Sequence, residues 1–245
     1  MIEPNNKCWT RLAVGLTVLI TVGCSGPKVT TKASAELARY QVRTMVLVPF
    51  TSIRTAQVPD RGDPFFLTPD SVGRSELSFT IPSNVEPPPK ETVVVPGYAA
   101  EKVTQLFWKR LQSREGVHVL PPEDSTRASS TDEQLAKAMP ETVAATVAKR
   151  LNADAALIGL VSVFQERVGG RFGASPPASV GFEVRAVAAD GQVLWVGNYY
   201  ERQRPMTEDL LGFLQRWGMF VTAEDLARFG VDEVLKEFPF GAGGE

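Results

Sequence analysis

Side chains that commonly perform catalysis are scarce in this sequence. It contains one histidine, His118, and two cysteines, Cys8 and Cys24. A Ser-His-Asp triad needs its histidine at a strand end that faces a cleft. His118 lies inside the predicted strand 117–120, so we interpret it as a structural residue. A zinc or copper site needs several nitrogen or sulfur ligands, and with no second histidine the sequence predicts neither a metal nor any other cofactor.

Carboxylates are the remaining candidates for acid–base chemistry. Glu166, Glu183 and Glu201 fall on or near predicted strand ends. Acid–base catalysis needs two carboxylates held in one cleft with different pKa values, and the spacing indicates no such pair. Glu183 alternates with Phe182 and Val184, so we expect it to face solvent. The sequence therefore predicts a non-enzyme, and a hydrolase that uses carboxylates alone is the alternative.

A glycine-rich stretch at 169–173 is the one candidate phosphate loop. Pro176 and Pro177 follow it, whereas a phosphate-binding loop leads into a helix N-terminus. We therefore predict a hairpin loop there. The formal charge of −2, from 26 basic and 28 acidic residues, also argues against a nucleic-acid-binding protein.

The N-terminus has the pattern of an export signal. Lys7 and Arg11 precede the apolar run 12–22, which is too short to span a bilayer as a helix and typical of a signal peptide. Thr21-Val22-Gly23-Cys24 then resembles a bacterial lipobox, although Thr21 stands where leucine is usual. We predict a signal peptide at 1–23 and a lipid on Cys24. The alternative is an ordinary signal peptide with a cysteine nearby by coincidence.

This anchor predicts where the protein resides. In the lipoproteins that this pattern resembles, the residue after the cysteine influences sorting, and Ser25 favours the outer membrane over the inner one. We expect the protein to be held by its acyl chains at the inner leaflet of the outer membrane, facing the periplasm. Residues 24–41 are polar and small, and they predict the anchor and a tether.

Apolar patterns indicate one α/β domain over 42–245. Continuous apolar runs at 45–48 and 155–164 predict buried strands, and helical patterns fall at 97–114 and 141–151. The alternating strand 180–186 is joined to 193–199 by Asp190-Gly191, a strong hairpin signal. The predicted fold is a three-layer mixed sheet, β-α-β-α-β followed by an antiparallel meander, with C-terminal helices at 207–217 and from 222, the latter broken at Gly230.

A proline-rich insertion interrupts this domain at 51–96. Its prolines disfavour both helix and sheet. Phe65 and Phe66 are candidate contact residues at its tip, and the alternative is that they fold back onto the domain.

Several motifs resemble one domain type of envelope proteins. They are the strand VLVPF at 46–50, the helix start GYAAEKV at 97–103, the run LNADAALIG at 151–159 and the hairpin ADGQVLW at 189–195. They are similar to a domain of the curli-secretion lipoprotein, of the lipoprotein activators of penicillin-binding proteins and of the TolB N-terminus. This resemblance implies an α/β fold. Asn152 departs from the family's glycine, and the insertion and C-terminal helices lie outside the shared part, so neither pore formation nor synthase activation is carried over.

Aromatic residues indicate where a partner would bind. Trp195, Tyr199 and Tyr200 cluster at the last strand, and Trp217 lies in the C-terminal region. Aromatic side chains are enriched at interfaces, and they are equally what a core needs. We predict a binding or assembly lipoprotein that contacts an envelope protein or a second copy of itself. The alternatives are the hydrolase and a structural subunit of an outer-membrane secretion complex.

Overall fold

A computed structural model describes residues 28–56, 94–130, 135 and 138–241. The predicted signal peptide, Cys24, Phe65 and Phe66 lie outside these residues, as does 57–93 of the predicted insertion. The strands are β1 (Val29–Ala33), β2 (Thr44–Leu47), β3 (Thr51–Ser52), β4 (His118–Leu120), β5 (Ala155–Gln165), β6 (Gly169–Gly170), β7 (Gly173–Ala174), β8 (Ser179–Ala188) and β9 (Val193–Arg202). The α-helices are α1 (Ala99–Leu111), α2 (Pro122–Ser129), α3 (Pro140–Arg150), α4 (Leu210–Leu214) and α5 (Ala223–Lys236), and a 3-10 turn spans Leu37–Arg39.

One mixed sheet organises the domain. Its strand order is β1-β9-β8-β5-β2-β4, and β3 pairs with β5 further along that strand. β2 is parallel to both β4 and β5, while β5, β8 and β9 form an antiparallel meander. The prediction of a mixed α/β fold with one large sheet and several helices is confirmed. Parallel strands need long connections, and α1 and α3 lie in the two connections that join the parallel strands.

Apolar side chains of the central strands point alternately to two cores. In β5, Ala155 and Leu157 join a core with α1 and α5, whereas Ala156 and Ile158 join a core with α3. Successive side chains of a strand point to opposite faces, so the two cores lie on opposite sides of the sheet. Runs such as 155–158 are therefore apolar without alternation.

The predicted tether contains a strand. Val29–Ala33 pairs with β9 along its whole length, from Val29 opposite Tyr199 to Ala33 opposite Trp195. The interpretation of 24–41 as a tether is therefore wrong for these residues. β1 is an edge strand with four of its five side chains exposed, so its sequence carries no apolar alternation from which a strand could be predicted.

Two helices also differ from the prediction. α2 lies between the predicted strand 117–120 and the predicted helix 141–151, where the sequence pattern predicts no element. It begins with Pro122 in the first turn, followed by Glu123 and Asp124. Only Ser125 of this helix is buried, so no apolar stripe reveals it. α5 continues through Gly230 instead of breaking there. Its start is as predicted, because the Thr222 side chain accepts a hydrogen bond from the backbone N–H of Asp225.

Candidate functional site

A groove crosses the sheet on the face opposite α1 and α5. Two cavities of about 480 and 380 Å³ form it, and both contact Leu160, Glu183 and Arg185. The first lies towards α3, and its apolar lining includes Val48, Leu135, Val143 and Ile158. The second extends towards β1 and is lined further by Lys28, Thr30, Ser162, Asn198 and Tyr200. Since the cavities share three residues, we treat them as one groove.

The groove exists because helices cover only part of this face. α3 packs on the first half of β5, and its side chains Val147 and Ala148 are fully buried. Beyond Ile158, no helix of the described residues covers β5, β8 and β9 on this side. Leu160 is 39% exposed and Tyr200 is 44% exposed as a result. Apolar and aromatic side chains are thus presented to solvent on rigid strands.

A chain of charges lies along the groove. The Arg185 Nε donates to Glu183 at 2.5 Å, and its Nη1 donates to Glu141 of α3. Partial burial lowers the pKa of Arg185, but the hydrogen bonds and charges of Glu183 and Glu141 outweigh it, so this pKa is raised. The guanidinium is a fixed positive charge that links α3 to β8. Glu183 faces away from Phe182 and Val184, but it is half-buried and paired with Arg185 instead of facing solvent freely as predicted.

Two of the predicted contact aromatics are core residues. Trp195 and Tyr199 are almost fully buried, and Trp195 packs edge-on against Phe238 with ring centroids 5.0 Å apart. Their placement at an exposed interface is therefore wrong, because both side chains point towards α5. Tyr200, next along the strand, points to the other face and lines the groove. Trp217 is 87% exposed but lies outside the groove lining.

The other predicted carboxylates have structural contacts. Glu166 accepts hydrogen bonds from the backbone N–H of Ala223, at the start of α5. Glu201 is buried, where it pairs with Arg216 and accepts the Tyr199 hydroxyl at 2.6 Å. Burial and the Glu201 charge raise the pKa of Tyr199 well above its usual value. The three carboxylates are thus spread over different surroundings.

The described part of the chain shows where His118 lies and how the possible metal ligands are distributed. His118 is the exposed first residue of β4, a strand at the edge of the sheet. Within the described residues, no three His, Cys, Asp or Glu side chains gather as a metal site would require. None of the helices described there has the length and apolar character needed to cross a bilayer.

Several solved structures are similar to this chain at low identity. A PelC dodecamer from Paraburkholderia phytofirmans is 14% identical, with 87% of this chain and 97% of that chain covered and a TM-score of 0.44. Lipoprotein GNA1162 from Neisseria meningitidis is 14% identical over 71% of this chain and 92% of that chain, with a TM-score of 0.35. The LpoB C-terminal domain from Escherichia coli is 10% identical over 66% and 83%, with a TM-score of 0.34.

These similarities assign the chain to no family. No protein-family model matches the sequence, and no curated protein matches it. The three structures above all have TM-scores below 0.5, and the sequence identity of each to this chain is 14% or less.

Sequence reasoning missed most of the groove. Glu141 and Arg185 are 44 positions apart, and no local spacing connects them. Leu160 lies within an apolar run that predicts complete burial, and the structure shows that only part of that run is covered. The one readable signal was strand alternation, which separates Tyr200 from Trp195 and Tyr199.

Proposed function

We propose that this chain is a lipid-anchored lipoprotein of the bacterial envelope that binds a protein partner in the groove and catalyses no reaction. The groove itself carries this proposal, since it is a preformed concave surface on rigid strands. It combines apolar side chains such as Leu160 and Ile158 with the charges of Glu183 and Arg185. A partly apolar surface with paired charges suits a protein surface of mixed character.

The chemistry of the groove favours binding over catalysis. Arg185 is held between Glu183 and Glu141, so all three charges are engaged in ion pairs. A general acid needs a carboxyl group whose pKa is raised by an apolar or like-charged environment. Glu183 and Glu141 instead share one guanidinium, so neither stands in an apolar or like-charged pocket. These groups are suited to orienting a partner.

The anchor rests on the N-terminal motif. The apolar run 12–22 ends within the sequence Thr21-Val22-Gly23-Cys24, and this arrangement fits export and acylation. Ser25 favours the outer membrane. An anchored protein with one partly uncovered sheet face is suited to hold a partner near the membrane. A second copy of the chain is one protein that would satisfy this chemistry.

A cysteine introduced into the groove tests the proposal directly. The sequence has only Cys8 and Cys24, and in the proposed mature protein the first is removed and the second is acylated. A Leu160→Cys variant therefore offers a single thiol for a photoreactive maleimide in isolated native membranes. The matched control is Gln105→Cys, an exposed position on α1 at the opposite face of the sheet.

We expect one reproducible protein adduct from position 160 and none from position 105. A doubled mass of this chain would identify a second copy as the partner. Equal adducts from both positions, or no adduct from position 160 in membranes that contain the anchored protein, would overturn the proposal. Mass spectrometry of the mature N-terminus tests the lipid separately, and a mature chain that retains a free Cys24 thiol would contradict the anchor.

A further inference from the structure

A second exposed surface, unlike the groove, is dominated by apolar side chains, and Thr207, Glu208 and Gln215 are exposed among them. We call it the α4 surface, and it consists of Phe172, Met206, Leu210, Leu211, Leu214 and Trp217, all large apolar side chains exposed to solvent. Trp217 and Phe172 are each 87% exposed, and Leu211 is 74% exposed. A cluster of exposed apolar side chains on a globular domain marks a site of contact with another surface.

The geometry of α4 produces this cluster. Leu210 and Leu214 are four positions apart and lie on one side of α4. Trp217 follows in the turn after the helix, with a φ of +58°. The other side faces the domain, where Gly212 and Arg216 are buried and Phe213 packs edge-on against Phe220 at 5.6 Å. The segment is amphipathic, and within the described residues nothing covers its apolar side.

The hairpin of β6 and β7 extends this surface. The backbone N–H of Phe220 donates to the carbonyl of Arg171 at 2.7 Å, which fixes the hairpin turn beside the end of the α4 segment. Phe172 follows Arg171 in that turn and is fully presented to solvent.

The support beneath the α4 surface is rigid. The Asp209 side chain caps the helix by accepting the N–H of Gly212 at 2.8 Å. Arg216 donates to the carbonyl of Gly212 at 2.7 Å and pairs with the buried Glu201. These contacts hold α4 against the sheet with its leucines directed outward, so the exposure is a property of the fold.

The start of the described chain indicates what this surface meets. The Lys28 Nζ lies 3.7 Å from the Asp209 carboxylate, immediately before Leu210. Cys24 precedes Lys28 by four residues, and four residues span at most about 14 Å. A lipid on Cys24 therefore holds the bilayer within reach of the α4 surface, and the β1 end of the groove, which Lys28 also lines, is within the same reach.

The composition of the surface suits a lipid interface. Leucine, phenylalanine and tryptophan on one side of a short amphipathic segment are typical of helices that lie in the interfacial region. Arg171 and Arg204, both exposed, flank the apolar residues and are placed to meet lipid headgroups.

From these contacts we infer that the α4 surface lies in the headgroup region of the bilayer, beside the acyl chains of Cys24. The inference rests on the proposed lipid anchor. It gives the domain a second membrane contact and fixes its orientation, with Trp217 and the leucines in the acyl boundary.

Fluorescence quenching in vesicles tests this placement. The full lipidated protein is reconstituted into phosphatidylethanolamine–phosphatidylglycerol vesicles that contain lipids brominated on their acyl chains, which quench tryptophan on contact. The proposed mature chain contains Trp108, Trp195 and Trp217. We expect quenching in the wild type that is lost in Trp217→Phe and retained in the matched control Trp108→Phe. A Leu211→Glu/Leu214→Glu variant should lose the quenching as well.

The outcomes separate the two proposals. An anchored protein whose Trp217 emission is unaffected by brominated lipid would overturn this inference alone. Adducts between a photoreactive group at position 217 and a protein in native membranes would also overturn it, in favour of a protein contact. A protein that carries no lipid on Cys24 and stays off the vesicles would overturn the anchor and the inference together.

Discussion

At the residue scale, Asp154 shows how one side chain joins two parts of the sheet. One of its carboxylate oxygens accepts the backbone N–H groups of both Arg43 and Thr44 at 2.9 Å. Its own N–H donates to the carbonyl of Thr44, and Asn152 makes the turn before it with a φ of +51°. Asparagine tolerates this left-handed conformation better than most residues. The turn at Asn152-Ala153-Asp154 thus also holds the start of β2 in register with β5.

The first prediction concerns this carboxylate. Asp154→Ala should lower the free energy of unfolding by about 1 to 2 kcal/mol, because two backbone N–H groups lose a charged acceptor. Asp154→Asn keeps an acceptor oxygen and should lose less. Urea denaturation followed by circular dichroism measures both. Equal stability of the alanine variant and the wild type would contradict this role.

At the element scale, α5 is shaped by the sheet beneath it. A Cβ on Gly230 would lie 2.3 Å from the Tyr199 ring, closer than atoms can approach. The glycine lets the helix pass close over the aromatic ring of β9. The C-terminal end of the helix is fixed by Arg114. Its guanidinium donates to the carbonyls of Leu235, Phe238, Phe240 and Gly241. Burial lowers the pKa of Arg114.

Gly230→Ala should destabilise the protein, although the same change stabilises an open helix. Glycine to alanine in an open helix stabilises it by about 0.5 to 1 kcal/mol. At Gly230, overpacking against Tyr199 costs about 1 to 3 kcal/mol, so we expect Gly230→Ala to lower the midpoint of urea unfolding. Glu233→Ala on the same helix is the control, and it should change the stability by no more than about 0.5 kcal/mol. A raised midpoint for Gly230→Ala would show that the helix shifts freely.

For the molecule as a whole, Glu201 connects the first described residue and the segment after α4 to the sheet. It lies at the end of β9, where it pairs with Arg216 beyond α4 and with Lys28 before β1, the latter at 3.2 Å. Arg216 also lies over the Phe229 ring of α5 at 4.7 Å. The groove and the α4 surface are therefore parts of one rigid arrangement.

The third prediction tests this connection by a double-mutant cycle. Arg216→Met should cost about 3 kcal/mol, because it leaves a buried carboxylate without its main partner. The double variant with Glu201→Gln should recover much of that loss, since no buried charge then remains. A double variant whose loss of stability equals the sum of the two single-variant losses would show that the pair is not coupled.

Elements with buried side chains could be predicted from the sequence, and elements with exposed side chains could not. The strands 44–47, 155–165, 179–188 and 193–202 could be predicted because they supply the core and so carry apolar patterns. β1 and α2 could not, because almost all of their side chains face solvent. The groove depends on contacts between distant elements, such as Arg185 with Glu141, and on a helix that covers half a sheet. Neither property can be predicted from the spacing of residues along the sequence.

The pairing of β1 with β9 also limits how far the domain can travel. With Cys24 acylated, a free tether to residue 42 would have a reach of about 60 Å, whereas four residues to Lys28 allow about 14 Å. Accessible volume scales with the cube of reach, so it falls about eightyfold, and a partner on the same membrane is met at a correspondingly higher effective concentration. In the proposed anchored protein, the domain would thereby be confined to partners that come close to its own membrane.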